Sequence, residues 1–345
     1  MGKRARTLTA ALWLGVALAA AAMAFAAFWP DDLRDGGRLH NALAAAKFVL
    51  CVLPVHTAVG LCAWALLAAA LRRFATAGAS ALLAVALLAW SLPLVGPAVP
   101  EAEGPLLRVM TSNVRYDHAE PAGLLAALDE HDPDLLLLQE WAPLHEEALG
   151  PALDARFPHR VVKLNAVTDV DGVAAFSRFP IESVPLDGGA PTPAPRWLSP
   201  KAQRLRLSAH GRTVEVFNVH PSSPQRVSAI TANRVTQGRL ASLAGAAVGL
   251  LGPVVVAGDF NAPPASAPAQ AWAGEGLLDA HAAAGPRLSF GHTWPDAKLP
   301  FFVPGVRIDA VKSGGGLVPV SCVVGPPTGS DHRPVVAELR FVEAL

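Results

Sequence analysis

The sequence is short of charged residues. Asp, Glu, Lys and Arg make up only 16% of the 345 residues while 52% are hydrophobic, a balance too apolar for an ordinary soluble domain. Cysteine is also scarce: the three present offer neither a disulfide framework nor a metal-ligand spacing. The net charge is zero, and beyond residue 105 acidic residues slightly outnumber basic ones, which argues against the basic surface that grips long nucleic acids.

The apolar excess lies in the first hundred residues. Three stretches, at about residues 8–29, 48–71 and 74–95, contain no Asp, Glu, Lys or Arg and are long enough to cross a hydrocarbon layer about 30 Å thick. We expect each to be a transmembrane helix. Residues 1–99 would then form a membrane domain, and the short linker 100–105 would lead to an outer domain at 106–345.

The second stretch contains two residues that are unusual in a span, Pro54 and His56. Proline removes a helical hydrogen bond and bends the helix. An ionisable residue inside a membrane is costly and by default suggests a functional site. The interpretation we favour here is a neutral, hydrogen-bonded packing histidine beside a proline kink.

Basic residues predict the orientation of the chain. Lys3, Arg4 and Arg6 precede the first stretch, and Arg72 and Arg73 lie between the second and third; such clusters stay in the cytoplasm. We therefore expect a multi-pass protein of the plasma (inner) membrane whose outer domain is extracytoplasmic. The alternative is that the first stretch is a cleaved signal peptide, although it is long for that role; the outer domain then has the same destination.

Residues 106–345 show short apolar runs separated by turns and by helical patterns. Two runs, 135–138 and 254–257, are apolar throughout and must be covered on both faces. The expected fold class is α/β, with sheets in the centre and helices outside. Strands are predicted at Leu106–Val114, Asp134–Glu140, Gly172–Ser177, Ala202–Ser208, Thr213–His220, Pro253–Asp259, Arg307–Lys312, Val318–Val324 and Val335–Arg340, and helices at Pro121–Asp132, Pro143–Arg156 and Val227–Ala247.

Polar side chains stand at the ends of several predicted strands. Asp259 and Asn261 follow the run 254–257, and strand alternation places Asn113 at the end of one apolar face and Asn218 and His220 at the end of another. Because ligands bind at the carboxyl ends of strands in open α/β sheets, we expect these residues to converge. Such a set suggests metal-assisted cleavage of a phosphate ester.

Six short segments, in this order, resemble the motifs of the endonuclease/exonuclease/phosphatase superfamily across residues 106–341. Each is weak alone, but the ordered set, with every member at a strand end, is specific. The resemblance implies a DNase I-like four-layered α/β sandwich and divalent-metal phosphoesterase chemistry, here in a membrane-anchored bacterial type. The segments are Met110-Thr111-Ser112-Asn113, Leu138-Gln139-Glu140, Asn218-Val219-His220, Gly258-Asp259-Phe260-Asn261, Arg307-Ile308-Asp309 and Ser330-Asp331-His332.

Oxygen-bearing residues of these segments predict a site for Mg²⁺ or Mn²⁺. Glu140 supplies a hard carboxylate, and Asn113 and Asp331 complete a shell of oxygens and waters. Standing alone, Glu140 would be interpreted as an exposed strand-end acid. Asp259 and Asn261 project alike, so that one accepts a proton from water while the other donates to a phosphate oxygen. The alternative for this pair is an Asx turn after a buried strand.

Two histidines carry the remaining predicted catalytic roles. His332 and Asp309 resemble the family's imidazole and acid pair, in which the carboxylate fixes the ring tautomer and supports its positive form. The ring would stabilise transition-state charge or act as a base. His220 resembles the second histidine of the deoxyribonuclease-like and sphingomyelinase-like branches and would protonate the leaving oxygen. The simpler alternatives are a surface-turn histidine for His332 and a loop cap for His220.

Arg115, Asn218 and Arg234 are weaker candidates for substrate binding. Taken alone, Arg234 is more typical of a solvated helix face. The match also has a departure, because Tyr116 is the only tyrosine, and the mid-domain tyrosine that touches the scissile phosphate in the DNA-repair branch has no counterpart. Together with the acidic outer domain, this argues against repair of genomic DNA.

The leading functional prediction is a membrane-anchored hydrolase that cleaves a phosphodiester or phosphomonoester outside the cytoplasm, with metal-assisted in-line attack by water. The predicted partners are the bilayer and a phosphoester substrate, either a lipid headgroup, a nucleic acid or a small phosphodiester; no protein partner is indicated. The alternatives are an extracytoplasmic nuclease of the same family and a catalytically silent binding domain that keeps the fold.

Overall fold

A computed structural model describes residues 3–93, 96–164, 172–186, 202–296 and 305–342 of the chain. Four helices come first: α1 (Lys3–Phe28), α2 (Arg38–Val52), α3 (Pro54–Ala70) and α4 (Phe74–Ser91). By length and composition, α1 and α4 could each cross a membrane, and α2 with α3 make a third span if the bent pair is counted as one. The last two residues of the third predicted stretch, 94 and 95, lie outside the described residues.

The second predicted span, 48–71, is not one straight helix. Helix α2 ends at Val52, α3 starts at Pro54, and their directions differ by 63°. The cause is local, because proline has no N–H for the helix before it and its ring is suited to a first helical position. The kink expected beside His56 is therefore present, but it divides the span, and the helix before it begins ten residues earlier than predicted.

Helices α1, α3 and α4 form a small bundle around Met23, Ala58 and Leu87. Their outward faces carry large apolar side chains, including Leu18, which is 62% exposed, and Leu82, which is 74% exposed. An apolar surface of this kind marks a lipid-facing or protein-facing region rather than one in contact with water.

Two six-stranded sheets form the centre of the rest of the described chain. The first has the order β11-β12-β1-β2-β4-β3 and the second β5-β6-β7-β8-β10-β9. The strands are β1 (Leu106–Asn113), β2 (Leu135–Trp141), β3 (His159–Lys163), β4 (Gly172–Ser177), β5 (Ile181–Val184), β6 (Ala202–Ala209), β7 (Arg212–Val219), β8 (Val254–Asp259), β9 (Leu278–Asp279), β10 (Asp309–Gly314), β11 (Leu317–Val324) and β12 (Val335–Phe341).

The sheets pack face to face through their alternating apolar residues. Leu107 and Val109 of β1 join Val214 and Val216 of β7 in one fully buried cluster, as the period of two along each strand requires. Five further helices accompany the sheets: α5 (Pro121–His131), α6 (Pro143–Asp154), α7 (Val227–Leu251), α8 (Ala267–Gly274) and α9 (Ala280–Ala284). Helices α5 and α6 cover the first sheet and α7 and α8 the second, which completes the expected four-layered α/β sandwich.

All nine predicted strands and three predicted helices of the outer domain are confirmed, with ends shifted by a few residues. The missed strands β3, β5 and β9 each lie at the edge of a sheet. Edge strands are short and have a neighbour on one side only, so they carry little apolar pattern. The missed helices α8 and α9 span eight and five residues, too few to reveal a helical period.

Helix α2 packs on the sandwich rather than only on the apolar bundle. Ala45 and Phe48 of α2 lie in the same buried cluster as Ile230 of α7 and Phe217 of β7. Phe48 is only 3% exposed. The predicted division at residues 99–105 stays a prediction, but this helix from the N-terminal part shares a core with the outer domain.

Candidate active site

The carboxyl ends of four strands meet at one cleft. Parallel pairing sets Asn113 of β1 beside Gln139 of β2, and Val219 of β7 beside Gly258 of β8. The cleft encloses about 730 Å³. Five predicted site residues line it together with Arg115: Glu140, Asp259, Asn261, Asp331 and His332.

Glu140 reaches the cleft because β2 contains an irregularity at this residue. The pairing of β2 with β4 skips Glu140, going from Gln139 to Trp141, and its φ of 57° lies in the left-handed region. An extra residue of this kind re-aims a side chain out of the strand's alternation. Gly172 stands opposite, where a Cβ would come within 2.3 Å of the Trp141 carbonyl oxygen. The carboxylate accepts hydrogen bonds from Asn113 Nδ2 (2.9 Å) and from the Tyr116 backbone N–H (3.1 Å).

Gly258 allows the close approach of β7 and β8 directly before Asp259. Its φ is 147°, and a Cβ would lie 2.0 Å from the Val219 carbonyl oxygen, a contact that no other residue could make. Asp259 therefore follows directly after this close contact between the two parallel strands. This places the Asp259 carboxylate at the floor of the cleft.

His332 and Asp309 form the predicted pair. His332 Nδ1 donates to Asp309 Oδ2 at 2.9 Å, and both residues are buried. Burial alone would lower the pKa of His332, but the negative charges of Asp309 and Asp259 outweigh it and raise the pKa to about 10. The ring is therefore positively charged at neutral pH, with Nε2 3.9 Å from Asp259 Oδ2.

Asp259 is deeply buried in the cleft, at 1% exposure. Burial and the nearby Asp309 carboxylate raise its pKa to about 7, although the charge on His332 lowers it. Asn261 holds the carboxylate from both sides: its backbone N–H donates to Oδ1 at 2.7 Å and its Nδ2 to Oδ2 at 3.1 Å. The Asx turn considered as an alternative is thus present, within the cleft itself. Asn261 Nδ2 also donates to the Pro221 carbonyl, so Asn261 orients Asp259 and has no amide hydrogen left for a phosphate.

Asn113 and His220 complete the polar floor. Asn113 Nδ2 donates to both Glu140 and Asp259, while its Oδ1 accepts from the Arg115 backbone N–H. In this arrangement Asn113 is a bridge between two carboxylates, which differs from the ligand role predicted for its oxygen. His220 Nε2 lies 3.6 Å from Glu140 Oε1 and 3.7 Å from Asp259 Oδ2, between the two acids that the bridge joins.

Asn218 does not reach the cleft, contrary to its predicted role in substrate binding. It is fully buried, donates to the carbonyls of Leu138 and Ala174, and accepts from Gln139 Nε2 at 2.8 Å. Gln139 also contacts Thr111. This buried network joins the two sheets just below the site, so it fixes the relative positions of the strand ends.

The two predicted arginines have different outcomes. Arg115 lines the cleft, has a φ of 59°, and pairs with Asp117 at 2.7 Å. Arg234 lies elsewhere: it is fully buried and forms an ion pair with Asp31, with Nε to Oδ2 at 2.9 Å. Neither the substrate-binding prediction nor the solvated-face alternative fits Arg234. Sequence patterning missed this pair because Asp31 is about two hundred residues away in the N-terminal part.

The residues at the cleft are suited to a hard divalent cation. Asp259 and Asp309 offer carboxylate oxygens within 4.8 Å of each other, beside the charged His332 ring, and Glu140 and Asp331 face the same cavity. Asp309 Oδ1 is buried with no hydrogen-bond partner among the described residues. Burial first, and then the Asp309 carboxylate, raise the pKa of Asp259, and a cation bound by carboxylate oxygens would favour the charged form of this acid.

Residues 110–332 match the model of the Endonuclease/Exonuclease/phosphatase family, more than half of the chain. The chain belongs to this family. No curated protein sequence matches. Solved structures share the fold: the 3′ phosphatase NExo from Neisseria, bound to product DNA hairpin, has a TM-score of 0.50 and 18% identity over 69% of this chain and all of that one. An AP endonuclease from Archaeoglobus fulgidus has a TM-score of 0.50 and 17% identity over 67% of this chain and 98% of that one.

Membership in the endonuclease/exonuclease/phosphatase family agrees with the resemblance carried by the six strand-end segments. Family members are phosphoester-hydrolysing enzymes, as the names of the Neisseria and Archaeoglobus proteins state. At identities below 20%, these structures establish the fold of this chain and not its substrate.

Proposed function

We propose that this chain is a divalent-metal-dependent phosphoesterase, held at the plasma membrane by its apolar helices, with its catalytic cleft on the extracytoplasmic side. The observation that carries the proposal is the buried Asp309–His332 pair beside Asp259 and Glu140 in a family whose members hydrolyse phosphoesters. A buried, charged imidazole beside several carboxylates is a strongly perturbed titratable group of the kind that clusters at active sites, and its charge is suited to stabilising a phosphorane-like transition state.

Each described group has a role in this proposal. Asp259, with a pKa near neutrality, accepts the proton of the attacking water. Asn261 and Asn113 hold its carboxylate in place. His332, kept charged by Asp309, donates from Nε2 to the phosphoryl oxygens.

Three further residues act on the leaving oxygen and on the cation. His220 protonates the leaving oxygen. Glu140 and Asp331 are the residues that would hold Mg²⁺ or Mn²⁺. A cation held by these residues would supply positive charge to the phosphoryl group and the leaving oxygen.

A substrate panel tests the activity on the full chain in lipid nanodiscs. Nitrophenyl phosphate, bis-nitrophenyl phosphate, a DNA oligonucleotide and a phosphatidylcholine vesicle are each assayed with Mg²⁺, Mn²⁺ or a chelator. We expect metal-dependent release of product from at least one substrate, and loss of that release in His332→Ala. If no phosphoester is hydrolysed with either metal, the chain is better interpreted as a catalytically silent binding domain than as an enzyme.

Reporter fusions test the location. Both basic clusters, at the start of α1 and at Arg72 and Arg73 between α3 and α4, favour the cytoplasm. A reporter fused after Leu345 should therefore behave as extracytoplasmic, and one fused at Arg73 as cytoplasmic. Cytoplasmic activity from the carboxyl-terminal fusion would contradict the proposed topology.

A further inference from the structure

One wall of the catalytic cleft comes from outside the strand ends. Phe48 and Val52 of α2 line the same cavity as Asp259 and His332. Phe48 is fixed in the core beneath α7, so this wall is a packed part of the fold. A small hydrophilic phosphoester would gain nothing from an apolar helix in a cleft of carboxylates and histidines. An apolar group attached to the phosphoester would be buried against it.

A second cavity adjoins the catalytic cleft. It holds about 260 Å³ and lies between the junction of α2 and α3, the end of α4 and the sandwich. Val52, Pro263 and Val306 line both cavities. The boundary between the two cavities is therefore apolar, and the second cavity lies on the side of the cleft that faces the apolar helices.

The walls of the second cavity suit an uncharged chain. Val55, Trp90, Leu92 and Phe290 contribute apolar surface. The guanidinium of Arg307, which also lines it, is held by Asp279 at 2.8 Å. Burial and the neighbouring Arg307 lower the pKa of the lining His281 to about 4, so that ring is neutral at physiological pH.

We propose that the substrate is an amphiphile, with its phosphoester in the catalytic cleft and one hydrocarbon chain running past Val52, Pro263 and Val306 into the second cavity. This inference rests on the proposed phosphoesterase function. The 63° bend between α2 and α3 creates the route, because it turns α2 onto the sandwich while α3 continues into the bundle.

Chain-length series measure the effect in the full protein in nanodiscs. One series consists of alkyl nitrophenyl phosphates and the other of alkyl phosphate monoesters, each with methyl, hexyl and dodecyl chains. Each methylene buried in the cavity raises kcat/KM by about fourfold until the cavity is full. Long chains also concentrate in the bilayer, so preference for dodecyl in the unmodified protein is not sufficient on its own.

Two matched variants separate the cavity from the bilayer. Val52→Trp fills the junction of the two cavities, whereas Val49→Trp adds the same ring one turn earlier on α2, at a residue that is 48% exposed and lines neither cavity. We expect Val52→Trp to reduce the dodecyl-to-methyl ratio of kcat/KM at least tenfold, and Val49→Trp to keep the ratio of the unmodified protein.

The outcomes are distinguishable. Equal ratios in the unmodified protein and both variants would overturn the inference while leaving the phosphoesterase intact, and the second cavity would then hold only a bystander lipid. An equal loss on methyl and dodecyl substrates in Val52→Trp would also overturn it, since the wall would then serve the cleft in general. Absence of metal-dependent turnover in both series removes the proposed function, and this inference with it.

Discussion

The proposed catalytic cleft has two walls that are built differently. The strand-end wall, which includes Asp259, Asp309 and His332, is polar, buried and closely hydrogen-bonded, and it rests on paired strands. The helix wall, Phe48 and Val52 of α2, is apolar and belongs to a helix that joins the sandwich through side-chain packing. The first wall is suited to chemistry, which needs fixed charges, and the second to selection among substrates, which needs only shape and apolar surface.

The largest expected effect is on the strand-end wall. His332→Ala and Asp309→Ala should each lower kcat by about 10²–10⁴. The first substitution removes the charged ring, and the second removes the carboxylate that supports its charge. The double variant should be little worse than either single one, since the two residues act as a unit. Steady-state kinetics of the three variants on one substrate measures this. Losses that multiply in the double variant would show that the two residues act separately.

His220→Ala should have a smaller and more selective effect. Loss of a leaving-group acid costs about 10²-fold on an alkyl ester, whose alkoxide is a strong base, and much less on a nitrophenyl ester. The ratio of kcat values on the two esters, compared with that of the unmodified protein, is the measurement. A folding defect would slow both esters alike, and equal losses would leave His220 as a loop cap or a phosphate contact.

Glu140→Gln should change the metal requirement. The substitution keeps the shape of the side chain but removes its charge. Because loss of even an outer-shell partner costs about 10–100-fold in metal affinity or activity, a direct ligand should cost about 100-fold or more. A Mg²⁺ titration of activity gives the value, with Glu146→Gln as a control, since Glu146 is tied to Arg160 outside the cleft. An unchanged titration midpoint would remove Glu140 from the ligands.

The strand-end wall could be predicted from the sequence because its residues follow apolar strand runs directly. Asp259 and Asn261 come after Val254–Ala257, and parallel pairing then brings such ends together. The sequence does not reveal how Asn113 and Asn261 use their amides. Those roles depend on which neighbour each group meets, and that is set by the bulge at Glu140 and the left-handed conformation of Asn261.

The helix wall could not be predicted in the same way. The apolar run at residues 48–71 suggests one span, and only the angle at Pro54 shows that its first turn belongs to a different helix. The partners of α2 on α7 and β7 are also far away in sequence. Long-range packing of this kind leaves no periodic signal, which is also why the pairing of Arg234 with Asp31 was missed.

The smallest expected effect on turnover comes from the ion pair between Arg234 and Asp31, which connects α7 to the segment before α2. Arg234 lies on α7, whose cluster includes Phe48, and Asp31 precedes α2. Their side chains are 0% and 2% exposed. Arg234→Met leaves the Asp31 carboxylate buried without its partner, which costs about 3–5 kcal/mol. A thermal unfolding scan of the full chain in nanodiscs should show a Tm lower by about 10 °C.

The double variant Asp31→Leu with Arg234→Met tests whether the lower Tm comes from the unpaired Asp31 charge or from loss of the ion pair itself. Because a buried ion pair is often no more stable than well-packed apolar residues, the double variant should recover most of the Tm. Methyl phosphoester turnover should stay close to that of the unmodified protein in Arg234→Met, in Asp31→Leu and in the double variant, since neither residue lines the cleft. The preference for dodecyl should fall in the single variants and return in the double one if the pair holds α2 in position. A methyl rate that falls along with Tm would instead mean that the strand-end wall depends on α2, and the two walls would then be a single cooperative unit.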